Sequence, residues 1–290
     1  MNKVWSDYVQ GCNTLYYSRK LRFDDRFFSL YEPLFALECE KPLKILEIGC
    51  GPGALAGALR RMYPNARIVA IDRDSEFIAF AREKEKGIEF IEGDATALPF
   101  ADGEFDVTIS NTVSEHIAPA LFLGEQYRVL KNGGRCIVLS SRKGIVHRAE
   151  CLDESEYEAE FWKKAAEHDR THEVCRVCQY PMNERELPQA FEKYGFSAVS
   201  TGYALIDLTP DDPKYDTELA LQMIEAERLG ELDSIISVEK TMGEHFAASE
   251  IEKMTDIINA KYDARVRDYT RGVKLWDTNM SLIMVIRGDK

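Results

Sequence analysis

The chain has 290 residues, 45% hydrophobic and 30% charged, a balance that suits a globular protein with room for one large domain or two modest ones. Its formal net charge is −13, and its basic stretches, at residues 18–22 and 142–148, are short and mixed, which argues against a nucleic-acid partner and for a small-molecule one. No apolar run approaches the roughly 20 residues of a membrane helix, and the opening "MNKVWSDYVQGCN" is polar, so the expectation is a cytoplasmic protein with no membrane partner.

Residues 1–40 carry apolar and aromatic positions at helical spacing, among them Trp5, Tyr8, Val9, Leu15, Tyr16, Phe27, Phe28, Leu30 and Tyr31. They predict an N-terminal helical cap of two or three short helices ending near Pro42. The pattern then changes. "LKILEIG" predicts a buried strand, residues 54–63 a helix, and "ARIVAID" a second strand, with Ser75 as N-cap of the helix that follows. "GIEFIEGD" and "FDVTISN" predict strands three and four, residues 122–130 a helix, and "GGRCIVLS" a fifth strand. "LPQAFEKYGF" predicts a helix and "SAVSTGYALIDL" a sixth strand.

Strands alternating with helices imply crossover connections and a mostly parallel sheet. Residues 211–272 break the rhythm with a long amphipathic helical block, with Gly230 and Gly243 as its expected punctuation. A last strand, "NMSLIMVIRG", follows. The expected division is therefore a cap at 1–40, a core at 41–210 and 273–290, and a helical insertion at 211–272 placed as a lid over the sheet's carboxyl edge.

The seven cysteines are scattered and odd in number, which argues against a disulfide framework. Cys175 and Cys178 form one C-x-x-C with His168 and His172 upstream, short of the two pairs a structural zinc site commonly uses, so no metal is expected.

"ILEIGCGPGALAGALR" sets Gly49, Gly51 and Gly53 in one short strand-to-helix turn. Glycine loses more backbone entropy on folding than any other residue, so such a cluster needs a reason. A close backbone approach to a ligand, with helix amides aimed at it, supplies one. Gly49, Gly51 and Ala54 also satisfy G-x-G-x-x-G/A, and Asp72 ends the second strand where a carboxylate can accept two ribose hydroxyls. These features specify an adenosine-containing cofactor without naming it. A nicotinamide enzyme of the Tyr-x-x-x-Lys type would need that pair after the loop. Tyr16 and Lys20 precede it, and Tyr127 and Lys131 fall in a helix-to-strand turn.

Four stretches in order carry a resemblance: "LEIGCGPG", "AIDRD", "GDATALPFADGEFDVTIS" and "YRVLKNGGRCIV". Together they resemble the class I S-adenosylmethionine-dependent methyltransferases, with Asn132 where proline is usual in the last of them. The resemblance implies an α/β fold with a Rossmann-like, seven-stranded, mostly parallel sheet whose last strand is antiparallel. It implies S-adenosyl-L-methionine as cofactor and methyl transfer by in-line displacement, yielding S-adenosylhomocysteine.

The resemblance also assigns roles. Gly49 and Gly51 would face the methionine portion, with Glu47 fixing the turn near the amino group. Asp72 would take the ribose hydroxyls beside Arg73. Asp94 would meet the adenine amine, with Ala95 offering its amide to the ring, and Asn111 would present backbone to the methionyl part. Tyr16 or Arg19 on the cap could reach the methionine carboxylate. The residues alone leave Asp94 open as a local cap and Glu47 as a structural acceptor. His116 and His147 are the candidate bases, a role needed only if the acceptor arrives protonated. Arg142 is a candidate for an acidic group on the substrate. A small-molecule acceptor is expected; a protein or RNA acceptor, or a non-catalytic nucleotide-binding scaffold, is the alternative.

Overall fold

The structure is a computed structural model and describes residues 5–141, 147–169 and 177–290. The chain divides into two units, one of Arg22–Ile145, Cys178–Ile206 and Ser281–Lys290, the other of Met1–Leu21, Val146–Val177 and Asp207–Met280. Its strands are β1 (Lys44–Ile48), β2 (Arg67–Asp72), β3 (Glu89–Glu92), β4 (Phe105–Asn111), β5 (Leu130–Ser141), β6 (His147–Ala149), β7 (Ser197–Leu208) and β8 (Thr278–Asp289). Its helices are α1 (Trp5–Tyr8), α2 (Cys12–Arg22), α3 (Phe28–Phe35), α4 (Ala54–Met62), α5 (Ser75–Lys84), α6 (Pro119–Val129), α7 (Glu156–His168), α8 (Glu186–Lys193), α9 (Thr217–Met242) and α10 (Ala248–Thr270).

The first unit is built on a seven-stranded sheet in which the order β3-β2-β1-β4-β5-β8 is extended by β7 pairing with β8. Strands β1 to β5 pair in parallel. β8 runs antiparallel to β5, from Arg135 opposite Asp289 to Ser141 opposite Ile283. The central strands are short and apolar because a parallel sheet flanked by helices is buried on both faces. Leu46, Ile48, Val69, Ile71, Phe105, Phe122, Leu130, Val138, Phe191, Met284 and Ile286 form its core. Arg135 holds Asp289 through two hydrogen bonds of 2.7 and 3.0 Å and also donates to the Ala36 carbonyl at 2.6 Å. Arg287 donates to the carbonyls of Pro33 and Leu34. The two arginines thus satisfy carbonyls that the C-terminus of α3 leaves unpaired.

The helical unit has its own core of Phe161, Ile224, Ile235, Val238, Met242, Phe246, Met254, Ile258 and Tyr262. Asp233 on α9 accepts the Gly11 amide at 2.8 Å, and Leu229 accepts from Thr14. Residues 5–21 therefore pack with the 207–280 segment within this unit. Among the described residues no helix is long and apolar enough to cross a membrane.

Local expectations need three corrections. The helix after β2 is capped by Asp74, which accepts the Glu76 and Phe77 amides, and Ser75 is its first residue. Gly230 does not punctuate: α9 runs through it to Met242, and the break comes only at Gly243. α7 and β6 lie in a stretch where no element is expected; Ser155 and Glu158 close a capping box at the start of α7, and that S-x-x-E spacing was the available signal.

Candidate cofactor site in the sheet unit

Strand β1 delivers Glu47 to the mouth of the bend, and the next three glycines all take left-handed backbone, at φ 68° for Gly49, 52° for Gly51 and 90° for Gly53. Only glycine adopts such values without strain. Gly49 is also sterically fixed, because a Cβ there would overlap Val113. The amides of Gly49 and Cys50 both donate to the Ile71 carbonyl, at 2.8 and 3.0 Å, which folds the bend against the end of β2. Gly53 then caps α4 without any side-chain hydrogen bond. The first turn of α4 thus presents its amide end at the bend, where helix geometry favours negative or electron-rich groups.

Asp72 closes the other side. Its Oδ2 accepts the Gly51 amide at 2.8 Å and its Oδ1 the Asp74 amide at 2.9 Å. Burial raises its pKa above the ordinary value, and the two amides pull it back. An ionised carboxylate has about four acceptor positions, so two remain for hydroxyl donors. Glu47 is 2% exposed, and its Oε2 has no hydrogen-bond partner. Burial, and then the neighbouring Asp72 charge, raise its pKa well above the usual range. A buried, unpartnered carboxylate oxygen is costly in isolation and fits an ammonium group. The donor set therefore suits a ligand with an amino group at one end and a vicinal diol at the other.

The far wall comes from the end of β4. Asn111 pairs with Leu139, and Thr112 then turns into left-handed backbone at φ 54°, its amide held by the Leu139 carbonyl at 2.9 Å. That turn brings Val113 against Gly49. Sequence reasoning missed Val113, whose role is visible only through the space that Gly49 leaves.

Two residues further on, the Glu115 carbonyl accepts the Tyr180 amide, and His116 Nδ1 accepts the Cys178 amide, both at 2.9 Å. The His116 Nδ1 lone pair is thereby engaged by that amide. Sequence analysis had no means to pair His116 with Cys178, which lies 62 positions away.

The other expected residues are placed as follows. Asp94 is exposed, and its Oδ1 accepts the amide and hydroxyl of Thr96, each at 2.8 Å, so it is a local cap with its second oxygen still available. Ala95 packs against the core, and Arg73 is exposed. Tyr16 and Arg19 lie on α2 in the helical unit, where Tyr16 is 5% exposed and meets Tyr17 edge-on. His147 pairs through its backbone with Met280, and its side chain lies outside the described residues, as do Arg142, His172 and Cys175. Among the described residues no group of three or more His, Cys, Asp or Glu could hold a metal ion.

Comparison with known proteins bears on the same segment. A family model described as a methyltransferase domain matches residues 46–138. This stretch carries the bend, Asp72, Asp94 and Asn111. Over this stretch the chain matches the methyltransferase domain family. The domain is 44% identical over 109 residues to a demethylmenaquinone methyltransferase of Thermus thermophilus, covering 36% of this chain and 49% of that one. It is 39% identical over 103 residues to a fatty-acid O-methyltransferase of Mycolicibacterium smegmatis, covering 34% and 37%. The chain thus spans less than half the length of these curated relatives. The methyltransferase fold is also shared with a phosphoethanolamine N-methyltransferase 2 of Haemonchus contortus in complex with S-adenosyl-L-methionine. That structure has a TM-score of 0.52 at 15% identity, covering 99% of this chain and 59% of that one.

Proposed function

We propose that the protein binds S-adenosyl-L-methionine and transfers its methyl group to a small-molecule acceptor, releasing S-adenosylhomocysteine. The observation that carries the reading is the unpartnered Oε2 of Glu47 beside a three-glycine bend tied to Asp72. When bound, the cofactor supplies a methyl group on a sulfonium, so the methyl–sulfur bonding pair returns to sulfur as the acceptor's lone pair forms the new bond.

Glu47 and the Gly49 and Gly51 backbone hold the methionine amino end. Asp72 accepts the ribose hydroxyls with the oxygen positions its two amides leave open. Arg73 lies beside the adenosine, Asp94 offers its second oxygen to the adenine amine, and Ala95 offers its amide to the ring. Asn111 presents backbone to the methionyl part. The protein's task is then to align the acceptor with the sulfur–carbon bond and exclude water. Relatives named for a fatty acid and for demethylmenaquinone support a small-molecule acceptor over a protein or RNA.

The deciding experiment is calorimetric titration with S-adenosylhomocysteine, with NAD as the control ligand. Tight binding of the first and none of the second is expected; the reverse would overturn the reading. Incubation with a metabolite extract and methyl-labelled cofactor then identifies the acceptor.

A further inference from the structure

The helical unit contains a cavity of about 80 Å³ that is lined by α9, α10, residues 149–152 and the start of β8, all within that unit. The space exceeds what one water needs and admits a handful of heavy atoms. Glu150, Glu227, Glu231 and Asp277 line it together with Lys261 and Arg265. Both cations are already neutralised. Lys261 Nζ donates to Glu158 at 2.6 Å, and Arg265 donates to Asp211 at 2.9 Å and to Asp277 at 2.6 Å. The cavity is therefore acidic overall.

Two further atoms give it specificity. Asn279 is 6% exposed; its Nδ2 donates to Glu227 at 2.6 Å, while its Oδ1 has no partner. Arg265 is 1% exposed, and its Nη1 has no partner. Buried polar atoms in native proteins are paired, and an orphan at a cavity wall asks for a ligand. Glu231 meanwhile accepts the Tyr262 hydroxyl at 2.7 Å, and burial lifts its pKa above the ordinary carboxylate value. An acidic wall with the orphaned Asn279 acceptor fits a cation, and the orphaned Arg265 donor asks for a neutral acceptor on the same ligand, which makes that ligand organic.

We propose that this cavity binds a small protonated amine that also carries a hydroxyl or ether oxygen. The ammonium donates to Asn279 Oδ1 and the Glu231 carboxylate, and the ligand oxygen accepts from Arg265 Nη1. A carboxylate on the ligand is disfavoured, because Arg265 already faces two aspartates.

The test is calorimetric titration of the full chain with 2-aminoethanol, against 1,2-ethanediol and glycine as neutral and zwitterionic probes of similar size. Saturable binding of 2-aminoethanol at least tenfold tighter than either control is expected. Glu231→Gln, which keeps an acceptor for Tyr262, should weaken it at least tenfold at an unchanged melting temperature. Absence of saturable amine binding, equal binding of the diol, or wild-type affinity in a folded Glu231→Gln protein overturns the proposal. Should that variant fail to fold, the three probes on the wild-type chain decide alone.

Discussion

Gly51 donates its amide to Asp72 Oδ2 at 2.8 Å, joining the glycine bend to a carboxylate 21 positions later. The same aspartate that is assigned to the ribose is therefore also a brace for the loop that would hold the methionine. Asp72→Ala should lower S-adenosylhomocysteine affinity by about 10- to 100-fold, since hydrogen bonds to a charged group contribute about 1.5–3 kcal/mol each. Calorimetry measures this, and retained tight binding would reject the ribose role.

Gly49→Ala tests the close approach to Val113. The substitution combines strained backbone at φ 68° with overlap against that side chain, and should destabilise the protein by about 2–4 kcal/mol. Adding Val113→Ala should restore part of the loss, so urea denaturation of the two single variants and the double variant should give a non-additive cycle. Strict additivity would mean that backbone strain alone explains the effect.

Glu47→Gln separates stability from function. The folded protein holds the Glu47 pKa well above 4.5, so the buried group is tolerated when protonated and penalised when ionised. Wild-type stability should fall as pH rises from 4.5 through the raised value, and the variant should lack that loss. At pH ~7 the ligand-free variant should be about 1–2 kcal/mol more stable than wild type and bind S-adenosylhomocysteine about tenfold more weakly. Thermal melts across pH check the first effect, and titration checks the second.

His116 gives a contrasting case. Asn at this position offers an acceptor near the place of Nδ1, so His116→Asn should keep the bond to the Cys178 amide and retain kcat within about threefold. His116→Ala strands that amide and should cost about 1–2 kcal/mol of stability. A pH–rate profile of His116→Asn that loses a limb near neutrality would instead support a role for His116 as a base.

Arg265 tests the helical unit. It is 1% exposed and bridges Asp211, also buried, and Asp277. Arg265→Met leaves carboxylates buried without their cation and should cost about 3–5 kcal/mol, read by urea denaturation.

The parts legible in the sequence are those set by local backbone rules. Three glycines in one bend, Asp72 at a strand end and the alternation of short apolar strands with helices each follow from a few neighbouring residues. The sixth strand, Ser197–Leu208, falls where "SAVSTGYALIDL" predicts it. What escaped depends on distant partners. Val113 matters through the missing side chain of Gly49, and His116 through an amide from a different stretch of chain. The bond from the Gly11 amide to Asp233 likewise joins residues 222 positions apart, which no local periodicity encodes. Gly230 misled for a related reason: a Cβ there would meet nothing within 4 Å, so it neither breaks α9 nor serves a close approach.

The helical unit is assembled from three separate lengths of chain, with the backbone passing between units after residues 21, 145, 177, 206 and 280. It is therefore not a cassette that one deletion can remove or one fusion can transplant. Any protein shortened before residue 281 forfeits the part of β8 that pairs with β5 along with whatever was trimmed. Replacing this unit by recombination would need three coordinated exchanges, so gradual substitution inside the existing frame is the more accessible evolutionary path.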